Sequence, residues 1–247
     1  RHVGMAYHGW RELAHGELLA YRQEAIRFGG ERYALIDTLY ALPEAFLYAA
    51  LVDFLETQRP DDEHDWRQVY EDIRFSIDLA HRDGSFKDAI MGDTSEYVAR
   101  DEDLALTLHR LRSAGKRLFL LTNSYPRYTD HLMTFLLGGA LPEYGHWRQY
   151  FDVIITGAQK PTFFTEQAPF RRVDDETMEP EEGPVEGFER GVIYQHGNLS
   201  DFVRMSQLPL ERTAYFGDHI YGDILRSRKT SAWRTVMIGQ EMEAELE

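Results

Sequence analysis

Apolar positions follow two patterns along the chain. Between Pro43 and Ala80 they recur at helical spacing, and between Arg117 and Ile238 they gather into short continuous runs. The segment Phe46 to Leu55 is apolar on nearly every side and follows Pro43, whose fixed φ suits the first turn of a helix. All-round apolarity predicts a buried helix, closed by Pro60 and the acidic run Asp61 to Asp65. Trp66, Val69, Ile73, Ile77 and Ala80 predict a second helix over 66–82, stopped at Gly84. Leu104, Leu108 and Leu111 mark a third, with Asp101 or Asp103 as cap and Gly115 as stop. Residues 1–36 are mixed and yield one helix, near Glu17 to Phe28.

The continuous runs are Arg117 to Thr122, Phe151 to Thr156, Thr213 to Phe216 and Trp233 to Ile238. Such runs suit strands buried on both faces of a parallel sheet. Helices are predicted between them, over 128–137 and 223–229. Strands alternating with helices predict an α/β fold. The acidic stretch Asp174 to Glu189, bearing Gly and Pro, reads as an exposed loop or small hairpin.

Composition narrows the class. The 247 residues are 43% apolar and 13% aromatic, enough for a substantial core. There is no cysteine, which excludes disulfides and thiolate chemistry, and the ten histidines show no zinc-ligand spacing. A formal net charge of −15, with no basic stripe, argues against nucleic acid and anionic membranes as partners. No apolar run reaches transmembrane length and no secretory signal is visible, so the expected location is cytoplasmic. Arg1 at the start, and a helical pattern still running at Met242 to Glu247, lead to the expectation that both ends are trimmed.

In open α/β sheets, ligands bind outside the carboxyl ends of the strands. The first run ends in Thr122-Asn123-Ser124, the second is followed by Lys160-Pro161, and the third ends in Gly217-Asp218 and continues to Asp223. Singly, these read as a helix cap, a solvated lysine and a turn. Following three strands of one sheet, they point to a phosphate site. Thr122 and nearby N–H groups suit phosphate oxygens, Lys160 supplies charge, and Asp218 is a hard oxygen ligand for Mg²⁺. Asp223 could complete the metal's outer shell or hold Lys160.

At these residues a resemblance becomes visible. Leu-Leu-Thr-Asn-Ser at 120–124, Gln-Lys-Pro at 159–161 and Gly-Asp-His-Ile-Tyr-Gly-Asp-Ile-Leu at 217–225 resemble the second to fourth motifs of the haloacid dehalogenase superfamily. The last motif, with Lys229 and Trp233-Arg234-Thr235, is similar to cytosolic purine 5′-nucleotidases that prefer IMP and GMP; so are 37–44, 51–54 and 128–130. The resemblance implies a Rossmann-like parallel sheet over 101–247 with a helical cap over 1–100. It also implies Mg²⁺-dependent hydrolysis of a purine nucleoside monophosphate through an aspartyl-phosphate, and a homodimer or homotetramer. By similarity, Thr122 and Lys160 bind the phosphoryl group with Asn123 and Ser124 beside them, Asp218 ligates the metal, and Asp223 supports the site.

The superfamily's first motif, an apolar strand followed by Asp-x-Asp-x-Thr, is not found; Asp101-Glu102-Asp103 has the spacing but follows no strand. The resemblance places that motif and its central strand upstream of residue 1, so these residues alone are expected to be inactive. Arg74, Asp78 and His81 share one stripe of the second helix, which by itself reads as a solvated face. The resemblance assigns Arg74, Asp78, His81 and Lys87 to the nucleotide. Asp78 would accept from the N1 edge of a 6-oxopurine, and His81 and Tyr40 would sandwich the base. Arg82 stands where family members carry an aromatic. Arg27, Asp37 and Tyr221 match part of a second, activating nucleotide site, with Asp37 replacing an asparagine. Two rivals stay open: a phosphatase for another small metabolite, and a nucleotide-binding paralogue without catalysis.

Overall fold

A computed structural model of the chain describes residues 4–23, 33–36 and 41–239. It divides into two units, Arg1–Phe86 and Lys87–Glu247.

In the first unit, Tyr7–His8 (β1) and Arg11–Glu12 (β2) form an antiparallel hairpin. It is followed by α1 (His15–Gln23), α2 (Leu42–Gln58) and α3 (Trp66–Arg82). Gly9 turns the hairpin at φ 59°, and a Cβ there would come 3.3 Å from the Asp53 backbone nitrogen, so the turn sits directly on α2. The all-round apolar helix is present, but it is not buried all round. Only Glu44 and Val52 of α2 are buried, while Phe46 is 63% and Phe54 57% exposed. The hairpin and α3 cover part of its circumference, and hydropathy cannot report how many neighbours a helix has. In α3 the Asp65 carboxylate caps the N-terminus, accepting from the Arg67 and Gln68 N–H groups at 3.1 and 3.2 Å. Gly84, at φ 86°, follows its C-terminus.

The second unit opens within α4 (Ser85–Gly92), followed by α5 (Thr94–Tyr97) and α6 (Leu104–Ser113). Strand β3 (Phe119–Leu121), helix α7 (Pro126–Leu137) and strand β4 (Val153–Thr156) come next. Two strands the periodicity did not reveal follow, β5 (Phe170–Arg172) and β6 (Ile193–His196). The sheet order is β3-β4-β6-β5, with β3, β4 and β6 parallel and β5 antiparallel. The acidic stretch 174–189 is thus most of the connection between two sheet neighbours, carrying one isolated bridge between Val173 and Pro180.

Side chains of this sheet alternate between two cores. Phe119, Leu121, Val153, Ile155 and Tyr194 point to one, which also holds Phe202 of α8 (Leu199–Ser206) and Trp233. Leu118, Leu120, Ile154 and Ile193 point to the other, covered by Ala105 and Leu108 of α6 and Met133 and Leu137 of α7. This is the two-sided burial expected of parallel strands between helical layers. A fully buried side chain such as Ile154 contributes about 2–3 kcal/mol.

The last described elements are β7 (Ala214–Gly217), a wide turn over Ile220–Leu225, α9 (Arg226–Thr230) and β8 (Arg234–Met237). The sequence implied one sheet. Among the described residues, however, β7 and β8 pair in parallel as a separate two-stranded sheet. The two sheets share the first core, where the Phe119 and Tyr215 rings stack at 6.3 Å and 7°.

Candidate functional site

The polar segments after β3, β4 and β7 are joined by a continuous set of hydrogen bonds. Beyond β3 the backbone keeps pairing, with Thr122 N–H donating to Ile155 O and Ala158 N–H donating to Thr122 O, both at 3.0 Å. The Thr122 hydroxyl accepts from Ser124 N–H at 3.1 Å, curling the loop before Pro126 begins α7. Gly157 N–H donates to Ser124 O at 2.8 Å. The Asn123 side chain reaches across: its Oδ1 accepts from Lys160 N–H at 2.6 Å and its Nδ2 donates to Lys160 O at 3.0 Å. Asn123, expected to face the nucleotide, is engaged in fixing the lysine's backbone.

Lys160 then spans to β7. Its ammonium donates to Asp223 Oδ1 and to the Tyr215 hydroxyl, each at 2.7 Å, and Tyr215 donates to Asp223 Oδ1 at 2.9 Å. The Lys160 and Asp223 side chains are only 12% and 7% exposed. Burial alone would push the Asp223 carboxyl up. The Lys160 ammonium, the Tyr215 hydroxyl and His219 N–H outweigh it and hold the carboxyl below its ordinary range. Burial, with the Asp223 charge next and a smaller effect of Asp218, pushes the Tyr215 phenol far up, so it stays a neutral donor.

The turn after β7 is shaped around Asp223. Its backbone N–H bonds to His219 O at 2.9 Å while Ile224 N–H reaches the same oxygen at 3.4 Å, a π-type turn of the kind found at functional sites. The carboxylate folds back to accept from His219 N–H at 3.3 Å. Gly217 must lack a side chain here: a Cβ would lie 2.5 Å from Asp223 Cβ. Asp218, between Gly217 and His219, is exposed.

The other expected residues among those described lie on α3 and α4. On α3, Arg74 is bonded to the buried Glu44 carboxylate, which also accepts from the Tyr70 hydroxyl at 3.2 Å. Arg74 lies 3.8 Å from the exposed Asp78. The His81 ring sits 5.0 Å from that of Phe86. Lys87, on α4, holds its ammonium over the rings of Tyr125 and Tyr128. Tyr40, Arg27 and Asp37 lie outside the described residues, as does the side chain of Tyr221. Two participants escaped the sequence reading. Tyr215 could have been found from strand alternation, which turns it inward two residues before Gly217; Glu44 gave no signal, since an acid in a helix's first turn is common.

The donor set bears on Mg²⁺. Among the described residues no three metal-ligating side chains converge. Asp223 is committed to Lys160, which leaves the exposed Asp218 as the hard carboxylate that follows β7 directly. Mg²⁺ held by one or two carboxylates, phosphate oxygens and water suits such a set. Among the described residues no helix is long and apolar enough to cross a membrane.

All 247 residues match the model of the 5′ nucleotidase family. The chain is 32% identical over 255 residues to human 5′-nucleotidase domain-containing protein 2, covering 99% of this chain and 47% of that protein. A 5′-nucleotidase domain-containing protein of Dictyostelium discoideum is 32% identical over 248 residues, covering 99% and 42%. The rat 5′-nucleotidase domain-containing protein 2 is 32% identical over 255 residues, covering 99% and 44%. The chain thus spans less than half the length of these relatives. The family match from end to end, with relatives 32% identical along 99% of the chain, establishes that the chain belongs to the 5′-nucleotidase family.

Proposed function

We propose that these residues grip the phosphate in a Mg²⁺-dependent 5′-nucleotidase that hydrolyses purine nucleoside 5′-monophosphates, IMP and GMP ahead of AMP. The observation that carries the reading is the bond network from Thr122 through Asn123 and Lys160 to Asp223, at the carboxyl ends of β3, β4 and β7. Lys160 and Thr122 bind the phosphoryl oxygens, Asp223 and Tyr215 hold the lysine's amine, and Asp218 is the residue that would hold Mg²⁺. The bound ion would supply charge neutralisation at the phosphate. We assign phosphate chemistry to residues 101–247 and base recognition to 1–100, with Asp78 accepting from the N1–H of a 6-oxopurine and refusing adenine.

An aspartyl-phosphate needs a nucleophile that this stretch does not offer. Its Asp-x-Asp spacing, Asp101 to Asp103, sits before α6, where Asp101 accepts from Asp103 N–H at 2.8 Å. We therefore assign the nucleophile to a motif outside these 247 residues, which alone are expected to release no phosphate.

Hydrolysis of IMP, GMP, AMP and a sugar phosphate by the whole protein with Mg²⁺ tests the reading. Lys160→Met should lower kcat/KM by about 100-fold or more, and Asp78→Asn should narrow the preference for IMP over AMP. Equal turnover of the sugar phosphate, or a preference for AMP, would favour a phosphatase of another substrate class. Phosphate release by the 247 residues alone would overturn the assignment of the nucleophile.

A further inference from the structure

Lys160 is not the only cation near the β3 loop, and its charge is largely offset by Asp223 at 2.7 Å. An anion arriving there needs a positive group that is not already neutralised. Lys87 is such a group. Its ammonium lies 5.4 Å from the centre of the Tyr128 ring and 5.9 Å from that of Tyr125. Among the described residues it takes part in no ion pair, in a chain with 42 acidic and 27 basic residues.

The two rings are placed by the loop itself. Tyr125 directly follows Thr122-Asn123-Ser124 and precedes the first residue of α7; Tyr128 lies one turn on, on the same face. Tyr125 is 52% exposed, yet its ring is seated: a Cβ at Gly157 would come 3.3 Å from its Cδ1 and Cε1. Gly157 has φ 50° and bonds to Ser124 O, so the ring's seat belongs to the same loop pair that fixes Lys160. Burial pushes the Tyr128 phenol up, so its ring stays neutral. A ring face attracts an ammonium without cancelling its charge, unlike a carboxylate.

Lys87 is already assigned to the nucleotide by the resemblance; we propose that Tyr125 and Tyr128 form an aromatic saddle that positions its ammonium beside the Thr122–Ser124 loop and leaves its charge un-neutralised for the phosphate. The tyrosines are positioning residues, and the proposal rests on the phosphate-site reading above.

The test is titration of the 247-residue chain with inorganic phosphate, followed by NMR, in a mutant cycle. Wild type should bind, and Lys160→Met should not. Lys87→Met and the pair Tyr125→Leu/Tyr128→Leu should each weaken binding roughly threefold to tenfold. Combining all three should do no more than Lys87→Met alone, because the rings act through the lysine. The pair Tyr125→Phe/Tyr128→Phe should bind as wild type, since the ring faces remain. The Lys87 ε-protons should show an upfield ring-current shift that the leucine pair removes. If the leucine pair disturbs folding, the exposed Tyr125→Leu alone carries the comparison.

Undiminished affinity in the leucine variants, or effects that add in full to Lys87→Met, would overturn the saddle while leaving the phosphate site standing. Failure of wild type to bind phosphate, or binding indifferent to Lys160→Met, would overturn the phosphate-site reading and with it the saddle's role.

Discussion

The Asn123 amide and the Lys160 backbone clasp each other through two hydrogen bonds, of 2.6 and 3.0 Å, across the gap between the loops after β3 and β4. The amide mimics a strand neighbour just past the point where β3 and β4 stop pairing. The lysine's position is therefore set by the adjacent loop as well as by its own.

Replacing Asn123 with Ala removes both bonds and leaves the Lys160 N–H and C=O to find water. We expect a loss of about 1–2 kcal/mol in urea unfolding, with weaker phosphate binding. Asn123→Asp keeps an acceptor for the Lys160 N–H but turns a carboxylate oxygen toward the Lys160 carbonyl. It should bind phosphate more weakly than wild type, whereas an alanine variant equal to wild type in both measurements would mean the clasp is idle.

The Lys160–Asp223 pair is nearly buried, so removing one partner strands the other. Asp223→Ala should destabilise the second unit by about 3 kcal/mol, and the double variant Lys160→Met/Asp223→Leu should recover part of that. Denaturant midpoints of the three proteins, read by tryptophan fluorescence from Trp147 and Trp233, make the comparison. A double variant as unstable as Asp223→Ala would show that the damage lies in packing rather than in a stranded charge.

Acid should act on the same pair. The Asp223 carboxyl is held below its ordinary 3.8 in the folded protein. Its contribution is thus complete above that value and is lost as the pH falls through the folded one. Asp174 and Asp201, also held low by hydrogen bonds, contribute with the same sign. Urea midpoints between pH 2.5 and 6 should fall more steeply in acid for wild type than for Asp223→Asn; parallel curves would remove Asp223 from the account.

Gly217→Ala should drive a methyl into Asp223, whose Cβ, Cγ and Oδ2 lie 2.5–2.7 Å from the new atom. We expect a loss of about 1–3 kcal/mol and of phosphate binding. Gly145→Ala, whose nearest neighbour is the Gln149 side chain at 3.9 Å, is the matched control and should be nearly silent in thermal unfolding.

What could be read in advance followed from periodicity. Helix α3 was legible over 66–82 because five apolar residues mark one stripe and Gly84 ends it. Strands β3, β4, β7 and β8 were legible as continuous apolar runs. Strand β6 was not, because Gln195 and His196 give it a polar end, and β5 was not, because two of its three residues are arginines. Both are short and held by their neighbours rather than by their own pattern. At the site, the residues after each strand could be named, but not their division of labour. Which side chain grips a ligand and which grips Lys160 depends on distances of a few tenths of an ångström across loops 37 and 63 residues apart in sequence.

Strands β3 and β7 each pair on one side only among the described residues, and the β7–β8 ribbon carries Phe216 and Ile238 well exposed. Unpaired backbone donors and acceptors next to greasy rings make an adhesive rim. In concentrated preparations of this stretch, molecules should stick to one another rim to rim, and a single lysine placed at Phe216 is the natural way to keep them apart.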